Sequence, residues 1–301
     1  MKEVSIQIQT ILYNSDKEML LRSLESIKNA VKIYNSESDT SLIIKVYYGD
    51  ASSEPIFNEK RLTEIQRQFS STFTISYKFF NFNSGTAKGH NLLAKDCHTE
   101  YLLLINPDIL FSPRFFIEIL EPFNNQEIGV GIVEGRQTPI EHPKDYDLST
   151  GETSWASGAC TLISTALFHT VKGYDELFFM YCDDVDLSWR IRLLGKKVIY
   201  QPRAVVFHSK LLSQKGKWIP SSTEIQYSTE AKLLMLHKWS NRDVLKKTLK
   251  NYSLSGNENQ LKAYNKYMEL KKSKNLTSKT TRASEVSTFF NDSYSWHRFS
   301  I

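Results

Sequence analysis

The hydrophobic pattern of the first 125 residues alternates between strand-like and helix-like stretches. Strand patterns with a period of two, or short apolar runs, cover residues 4–12, 42–48, 73–80 and 101–105. Helical patterns follow the first three strands, and Ser112 with Pro113 is typical of a fourth helix start. Four such repeats predict an α/β fold with a parallel sheet and right-handed crossovers.

The second half is less regular. Strand patterns cover residues 129–134, 197–200 and 204–207, and an irregular excursion covers residues 136–153. Past Trp218 the pattern becomes helical. We therefore predict an α/β domain over residues 1–215 and a helical, basic C-terminal extension over residues 216–301.

The composition is that of a globular protein, with 41% hydrophobic and 24% charged residues among 301. The formal net charge of +5 is uneven, because residues 240–301 hold 12 Lys or Arg against 5 Asp or Glu. Three cysteines without a CxxC pair predict a reduced compartment without disulfides. With neither a signal peptide nor a membrane span expected, we predict a cytoplasmic protein.

Polar residues follow the predicted strands, where parallel α/β sheets bind their ligands. They are Thr10 and Tyr13, Asp50, Asn83, and Asn106 with Asp108. These positions favour a nucleotide-type pocket, although the ends of strands are often polar simply because loops are. The absence of a P-loop or a GxGxxG motif after the first strand argues against an NTPase or a dinucleotide oxidoreductase.

An acidic stretch holds three carboxylates within four residues, at Asp183, Asp184 and Asp186. A helical pattern begins beside it, so the first two aspartates are predicted at a helix N-terminus, where the helix dipole favours negative charge. A carboxylate against an apolar wall is suited to act as a general base. The alternative is simple N-terminal capping.

The order of motifs resembles the inverting family 2 glycosyltransferases of GT-A fold, especially the rhamnosyltransferase-like branch. The likeness covers residues 4–210 and is strongest from Ser157-Gly158-Ala159-Cys160, through Gly173-Tyr174-Asp175-Glu176 and Asp184-Val185-Asp186-Leu187, to His208. Asn106-Pro107-Asp108 is similar to the NPD form of the DXD element. The resemblance implies a Rossmann-like, mostly parallel central sheet flanked by helices.

The resemblance also implies roles for individual residues. Asp184 would be the catalytic base, and Asp108 and His208 would hold Mg²⁺ or Mn²⁺. Nucleotide binding is expected at Thr10, Tyr13, Asp50 and Asn83, and donor-sugar binding at Asn106, Trp155, Gly158 and Ala159. Asp183 and Asp186 are expected to cap the helix and orient neighbours. The chain departs from the family at Asp183, where Glu is usual, and at Asn106, which replaces the first acid of DXD.

The implied reaction transfers a sugar from a nucleotide-diphospho-sugar to a hydroxyl of a growing, lipid-linked or free, bacterial surface glycan. The resemblance favours dTDP-rhamnose. A UDP-hexose or UDP-N-acetylhexosamine donor, and a binding module without turnover, remain alternatives. The basic extension fits either a contact with anionic lipid headgroups at the inner membrane face or a solvated surface. No nucleic-acid motif accompanies the basic charge, so a nucleic-acid partner is not expected, and an oligomer stays open.

Overall fold

The structure, a computed structural model, describes residues 2–125, 129–141, 145–210, 212–215, 218–239, 242–290 and 293–295. Eight strands are present in these ranges. They are β1 Lys2–Leu12, β2 Thr40–Asp50, β3 Phe73–Phe79, β4 Tyr101–Ile105, β5 Ile109–Phe111, β6 Val130–Thr138, β7 Cys160–Ser164 and β8 Lys197–His208. They form one sheet in the order β3-β2-β1-β4-β7-β6-β8-β5.

The two halves of the sheet differ in strand direction. The first four strands in the order, β3 to β4, are all parallel. β7 runs antiparallel to both of its neighbours, and β5 is antiparallel to β8 at the far edge. β6 and β8 pair in parallel. The predicted mostly parallel sheet is confirmed, and the carboxyl ends of β1 and β4 open toward one edge.

Nine α-helices are present in the described ranges. They are α1 Lys17–Glu37, α2 Glu59–Phe69, α3 Gly85–Ala94, α4 Phe115–Leu120, α5 Thr165–Thr170, α6 Asp183–Arg192, α7 Ser222–Trp239, α8 Arg242–Ser253 and α9 Glu258–Lys272. The predicted start of α4 at Ser112 and Pro113 is wrong. The helix begins at Phe115, with Arg114 as the N-cap, because Ser112 still continues from β5 by donating its amide to the carbonyl of Val205, and a turn follows it.

The predicted strands 197–200 and 204–207 are a single strand, β8. Its pairing with β6 shifts register between Gly135 and Arg136, so an irregularity rather than a turn separates the two apolar runs. β8 therefore runs unbroken to His208 and delivers that side chain to the edge of the sheet.

The C-terminal helices are joined to the α/β part through an apolar cluster. Trp189 of α6 packs edge to face against Trp239 of α7, with ring centroids 5.3 Å apart. Val185 and Met235 belong to the same buried cluster. The predicted helical extension is thus present and covers one side of α6. Among the helices described, none combines the length and the apolar character needed to cross a membrane.

Candidate active site

A cavity of about 470 Å³ lies at the carboxyl ends of β1 and β4. It brings together eight of the residues that the sequence suggested, namely Tyr13, Asn106, Asp108, Trp155, Gly158, Ala159, Asp184 and His208. Three loops, the end of β8 and the start of α6 supply them, so residues up to 195 positions apart in the chain line one cavity. Thr10, Asp50 and Asn83 do not belong to its lining.

An unusual backbone turn places the first residues of α6 at the cavity. Tyr181 and Cys182, which directly precede the helix, both adopt left-handed φ angles of 67° and 60°. Residues with side chains rarely adopt this conformation, which costs about 1–3 kcal/mol each and is concentrated at functional sites. The turn aims the N-terminus of α6, with Asp183 and Asp184, into the cavity.

Asp184 is half-buried and held by two backbone amides. The amide of Gly158 donates to Oδ2 at 2.8 Å, and the amide of Val185 donates to Oδ1 at 2.8 Å. A side chain at position 158 would crowd the carboxylate, because an added Cβ would lie 3.3 Å from Cβ of Asp184. Glycine thus allows the loop before β7 to approach the carboxylate closely and orient it.

Asp183 is buried and faces α3 instead of capping its own helix. The hydroxyl of Thr86 donates to Oδ2 of Asp183 at 2.8 Å. The expected capping role is wrong for this side chain, because Cys182 is the N-cap and its helix has no side-chain cap. Burial, followed by the nearby charge of Asp184, raises the pKa of Asp183 above its ordinary value.

Asp186 points away from the cavity and is completely buried. Its Oδ1 accepts from Lys238 Nζ at 2.7 Å and from the Trp239 indole at 2.8 Å, and its Oδ2 accepts from Arg190 Nε at 2.7 Å. Lys238, itself 7% exposed, also bonds to Asp175 at 2.8 Å. Asp186 therefore orients its neighbours, as the sequence suggested, and it fastens α6 to α7, which the sequence did not predict. The expected capping role is wrong for this side chain too, because its oxygens accept from side chains instead of first-turn amides.

His208 and Asp108 meet in the same cavity. Nε2 of His208 lies 3.3 Å from Oδ1 of Asp108 and 3.2 Å from the amide nitrogen of Asn106. The loop that carries Asn106 and Asp108 is anchored at both ends, to the carbonyl of Ala159 and to the amide of Ser209. Burial lowers the pKa of His208, and the negative charge of Asp108 opposes this shift without reversing it, so the imidazole is neutral at pH 7.

Gln137 sets the tautomer of His208 and was missed at the sequence level. Its Oε1 lies 2.7 Å from Nδ1 of His208, and an amide oxygen can only accept, so Nδ1 carries the hydrogen. The other end of the amide donates to the Ser157 hydroxyl at 3.1 Å, which fixes its orientation. The lone pair of Nε2 therefore faces Asp108 and the cavity. The sequence offered no signal for this role, because Gln137 lies in the polar run Arg136-Gln137-Thr138, within the predicted irregular excursion.

The donor set formed by Asp108 and His208 fits a hard divalent cation. One carboxylate oxygen and one neutral imidazole nitrogen suit Mg²⁺ or Mn²⁺ when a substrate and water complete the shell. In the described residues no group of three His, Cys, Asp or Glu side chains converges. A cation would thus be held by two protein ligands and would displace the hydrogen bond from Asn106 to Nε2.

The remaining three predicted nucleotide-binding residues lie outside the cavity lining. Thr10 is buried in β1. Asp50 is fully buried and accepts from the amides of Ser52 and Ile56 at 2.9 and 2.8 Å and from the Tyr77 hydroxyl. Asn83 is exposed and accepts from the amide of Gly85. Their role in nucleotide binding stays a prediction.

No family model matches the chain. Among curated proteins it is similar to rhamnosyltransferase WbbL of Escherichia coli, with 26% identity over 137 residues, 36% of this chain and 52% of that protein. It is also 45% identical, over 56 residues, to N-acetylglucosaminyl-diphospho-decaprenol L-rhamnosyltransferase of Mycobacterium tuberculosis, covering 19% of this chain and 18% of that protein. The chain thus spans about half or less of these relatives.

Solved structures match over more of the chain. A structure of GalNAc-T7 with UDP, GalNAc and Mn²⁺ aligns with a TM-score of 0.59 and 13% identity, covering 88% of this chain and 55% of that one. The mannosyltransferase PcManGT of Pyrobaculum calidifontis, with GDP-Man and Mn²⁺, aligns with a TM-score of 0.53 and 13% identity, covering 93% and 77%. The predicted GT-A fold and the resemblance to rhamnosyltransferases are confirmed.

Proposed function

We propose that the protein is an inverting, metal-dependent glycosyltransferase that extends a bacterial surface glycan. The observation that carries this proposal is the convergence of Asp184, at the N-terminus of α6, with the Asp108–His208 pair in one cavity of a GT-A fold. Similarity to rhamnosyltransferases supports rhamnose as the transferred sugar and dTDP-rhamnose as the donor.

Asp184 acts as the general base. As the acceptor hydroxyl attacks the anomeric carbon, its proton moves to the Asp184 carboxylate. The new glycosidic C–O bond forms on the face opposite the breaking bond to phosphate, and the nucleoside diphosphate leaves with that electron pair. This in-line path inverts the anomeric configuration. The amides of Gly158 and Val185 hold the carboxylate in position for the transfer.

Asp108 and His208 would hold the divalent cation, and the charge that such a cation supplies would stabilise the leaving diphosphate. Gln137 keeps the imidazole of His208 in the tautomer with a lone pair on Nε2. Tyr13, Asn106, Trp155 and Ala159 line the same cavity and surround the nucleotide-sugar, together with Gly158.

The acceptor is a saccharide on a growing glycan. The mycobacterial relative acts, by its name, on an N-acetylglucosaminyl-diphospho-decaprenol, and this supports a lipid-linked acceptor that ends in a similar sugar. Such an acceptor places the enzyme at the cytoplasmic face of a membrane. The basic C-terminal extension then supplies a contact to anionic headgroups.

The test is a panel of nucleotide-diphospho-sugars assayed with purified protein, with and without EDTA. We expect dTDP-rhamnose with Mg²⁺ or Mn²⁺ to raise the melting temperature, and a donor at 100 times its Kd to stabilise by roughly 2.7 kcal/mol. EDTA should abolish transfer, and renewed Mg²⁺ or Mn²⁺ should restore it. Stabilisation by none of the nucleotide-sugars would rule out the proposed function. Donor binding without turnover on any acceptor would support the binding-module alternative.

A further inference from the structure

A second cavity lies directly beside the catalytic one. It encloses about 590 Å³, and Trp155 and Tyr294 belong to the walls of both cavities. Their rings meet edge to face, with centroids 5.2 Å apart. Because the same two rings border both spaces, an elongated ligand can extend from the catalytic carboxylate past these rings into the second cavity, which we call the side cleft.

The side cleft presents aromatic rings together with hydroxyl groups. Tyr146 and Phe290 add two rings to the pair shared with the catalytic cavity, and Thr150, Ser154 and Ser295 add hydroxyls. A pyranose ring has apolar C–H faces, which pack on aromatic rings, and a rim of hydroxyls, which need hydrogen-bond partners. Rings and polar groups in one open cleft therefore match a saccharide better than a purely apolar ligand.

The charges of the side cleft disfavour an anionic ligand. Among the described residues, Asp145, Asp147 and Glu152 line the cleft, against the single guanidinium of Arg192. That guanidinium is already engaged, because it donates to the carbonyl of Val286. Glu152 is compensated by Lys197, whose Nζ lies 2.9 Å from its carboxylate, but the lining as a whole stays negative. Like charges repel, so a diphosphate or a phosphate-bearing chain is disfavoured in this space. A neutral sugar carries no such cost.

We propose that the side cleft binds the sugar units of the acceptor glycan that lie behind the reacting unit. The proposal rests on the glycosyltransferase function proposed above. The acceptor hydroxyl must reach Asp184 in the catalytic cavity, so the next units of the same glycan pass the rings of Trp155 and Tyr294. The cleft thereby selects an oligosaccharide acceptor over a single sugar, and the lipid diphosphate of a lipid-linked acceptor lies elsewhere.

The test measures binding of the full chain to an array of bacterial surface glycans that runs from monosaccharides to hexasaccharides. Ser154→Trp places a bulky ring in the cleft and should abolish binding to the longer glycans. Phe290→Ala removes a ring that is exposed, so the variant should fold like the wild type. It should weaken binding to the longer glycans roughly three- to tenfold, as expected for one aromatic contact. Leu254→Ala, at an exposed position outside both cavities, is the control.

Donor binding is measured in parallel, as thermal stabilisation by the nucleotide-sugar panel. We expect all three variants to keep the wild-type donor response, since none of the changed residues lines the catalytic cavity. Longer glycans bound equally well by Ser154→Trp, or no preference of the wild type for longer glycans, would overturn the side cleft as an acceptor site and leave the proposed function standing. Loss of the donor response in the wild type would instead contradict the proposed function itself.

Discussion

The first turn of α6 has two sides with opposite environments. On one side, Asp184 is half-buried, borders the catalytic cavity and accepts from two backbone amides. On the other side, two residues later, Asp186 is completely buried and accepts from Lys238, Trp239 and Arg190. One aspartate therefore borders the catalytic cavity, whereas the other connects α6 to α7. We call the contact of Asp186 with Lys238 and Trp239 the buried joint.

This difference shows how the C-terminal helices take part in the site without lining most of it. Lys238 and Trp239 of α7 hold the buried side of α6, and that contact helps to set where the opposite side presents Asp184. Charged groups in such a joint are costly to bury alone, so each depends on its partner. Substitutions on the cavity side should consequently change turnover, and substitutions on the buried side should change the free energy of unfolding.

The largest effect is expected for Asp184→Asn. The amide keeps the size of the carboxylate but cannot accept the proton, so turnover should fall roughly 10²–10⁴-fold with donor affinity near that of the wild type. Turnover, donor affinity and melting temperature are measured for this variant and for Asp183→Asn, which should cost much less turnover. Near-normal turnover of Asp184→Asn would mean that a neighbouring carboxylate, and not Asp184, is the general base.

The structural side is tested by Lys238→Met. Removal of the ammonium takes one of two cations from the fully buried Asp186, whose other ion-pair partner is Arg190, and it also breaks the ion pair with Asp175. The free energy of unfolding should therefore drop by about 3–5 kcal/mol. The matched control is Lys262→Met, because Lys262 also pairs with a carboxylate, Glu258, at 2.7 Å, and both of these side chains are exposed. Its cost should be about 0–1 kcal/mol. Urea denaturation curves compare the two, and equal losses would refute a special role for the buried joint.

The pH dependence of stability offers a third test, at Asp183. Its folded-state pKa is raised by burial, so the folded chain binds the proton more tightly than the unfolded chain does. The stability that this proton contributes is complete below the unfolded pKa and is lost as pH rises through the folded one. Asp183→Asn should therefore stabilise the protein more at pH 8 than at pH 5. The measurement is the difference in melting temperature between variant and wild type, and a difference that falls with pH would contradict this assignment.

A smaller effect is expected when Gln137 is changed. Gln137→Leu removes the acceptor that keeps hydrogen on Nδ1 of His208, and loss of such an orienting partner typically costs 10–100-fold in metal affinity. Gln137→Glu retains an acceptor and should lose much less. Mn²⁺ binding is measured by calorimetry in the presence of the nucleoside diphosphate, without any turnover. Equal Mn²⁺ affinities of the leucine and glutamate variants would argue against a role of Gln137 in setting the tautomer of His208.

The sequence predicted most of the strands and the polar strand ends because hydrophobic periodicity is a local property, but it missed the three-residue β5 and divided β8 into two strands. β4 was predicted with its final bounds, and Asp108 and Asp184 were placed at one site. Residues whose role depends on distant partners escaped prediction. Gln137 acts on a histidine 71 positions away, and Lys238 reaches an aspartate 52 positions away in the chain. A buried lysine almost always has a charged partner, but the helical pattern of α7 does not predict which residue that partner is.

The smallest effect concerns the basic C-terminal extension, whose charges the structure distributes unequally. Lys238 is buried in the joint, and Lys262 and Lys266 pair with Glu258 and Glu230 at 2.7 and 2.6 Å. Fewer basic side chains are therefore available to a membrane than the number of lysines suggests. Lys250, at the exposed end of α8, represents what remains.

We expect Lys250→Gln to weaken binding to vesicles rich in phosphatidylserine about fivefold, since one basic residue near such a surface contributes about 1 kcal/mol. The matched control is Lys60→Gln, which removes the same charge from exposed α2 on the α/β part. Sedimentation with vesicles at low and high salt is the measurement, because screening should erase the difference between the variants. Equal weakening by both variants would mean that net charge, rather than the extension, attracts the membrane. Unchanged binding in both variants would mean that the basic residues of α8 form a solvated surface. A lipid-linked acceptor would then be the contact that holds the enzyme at the membrane.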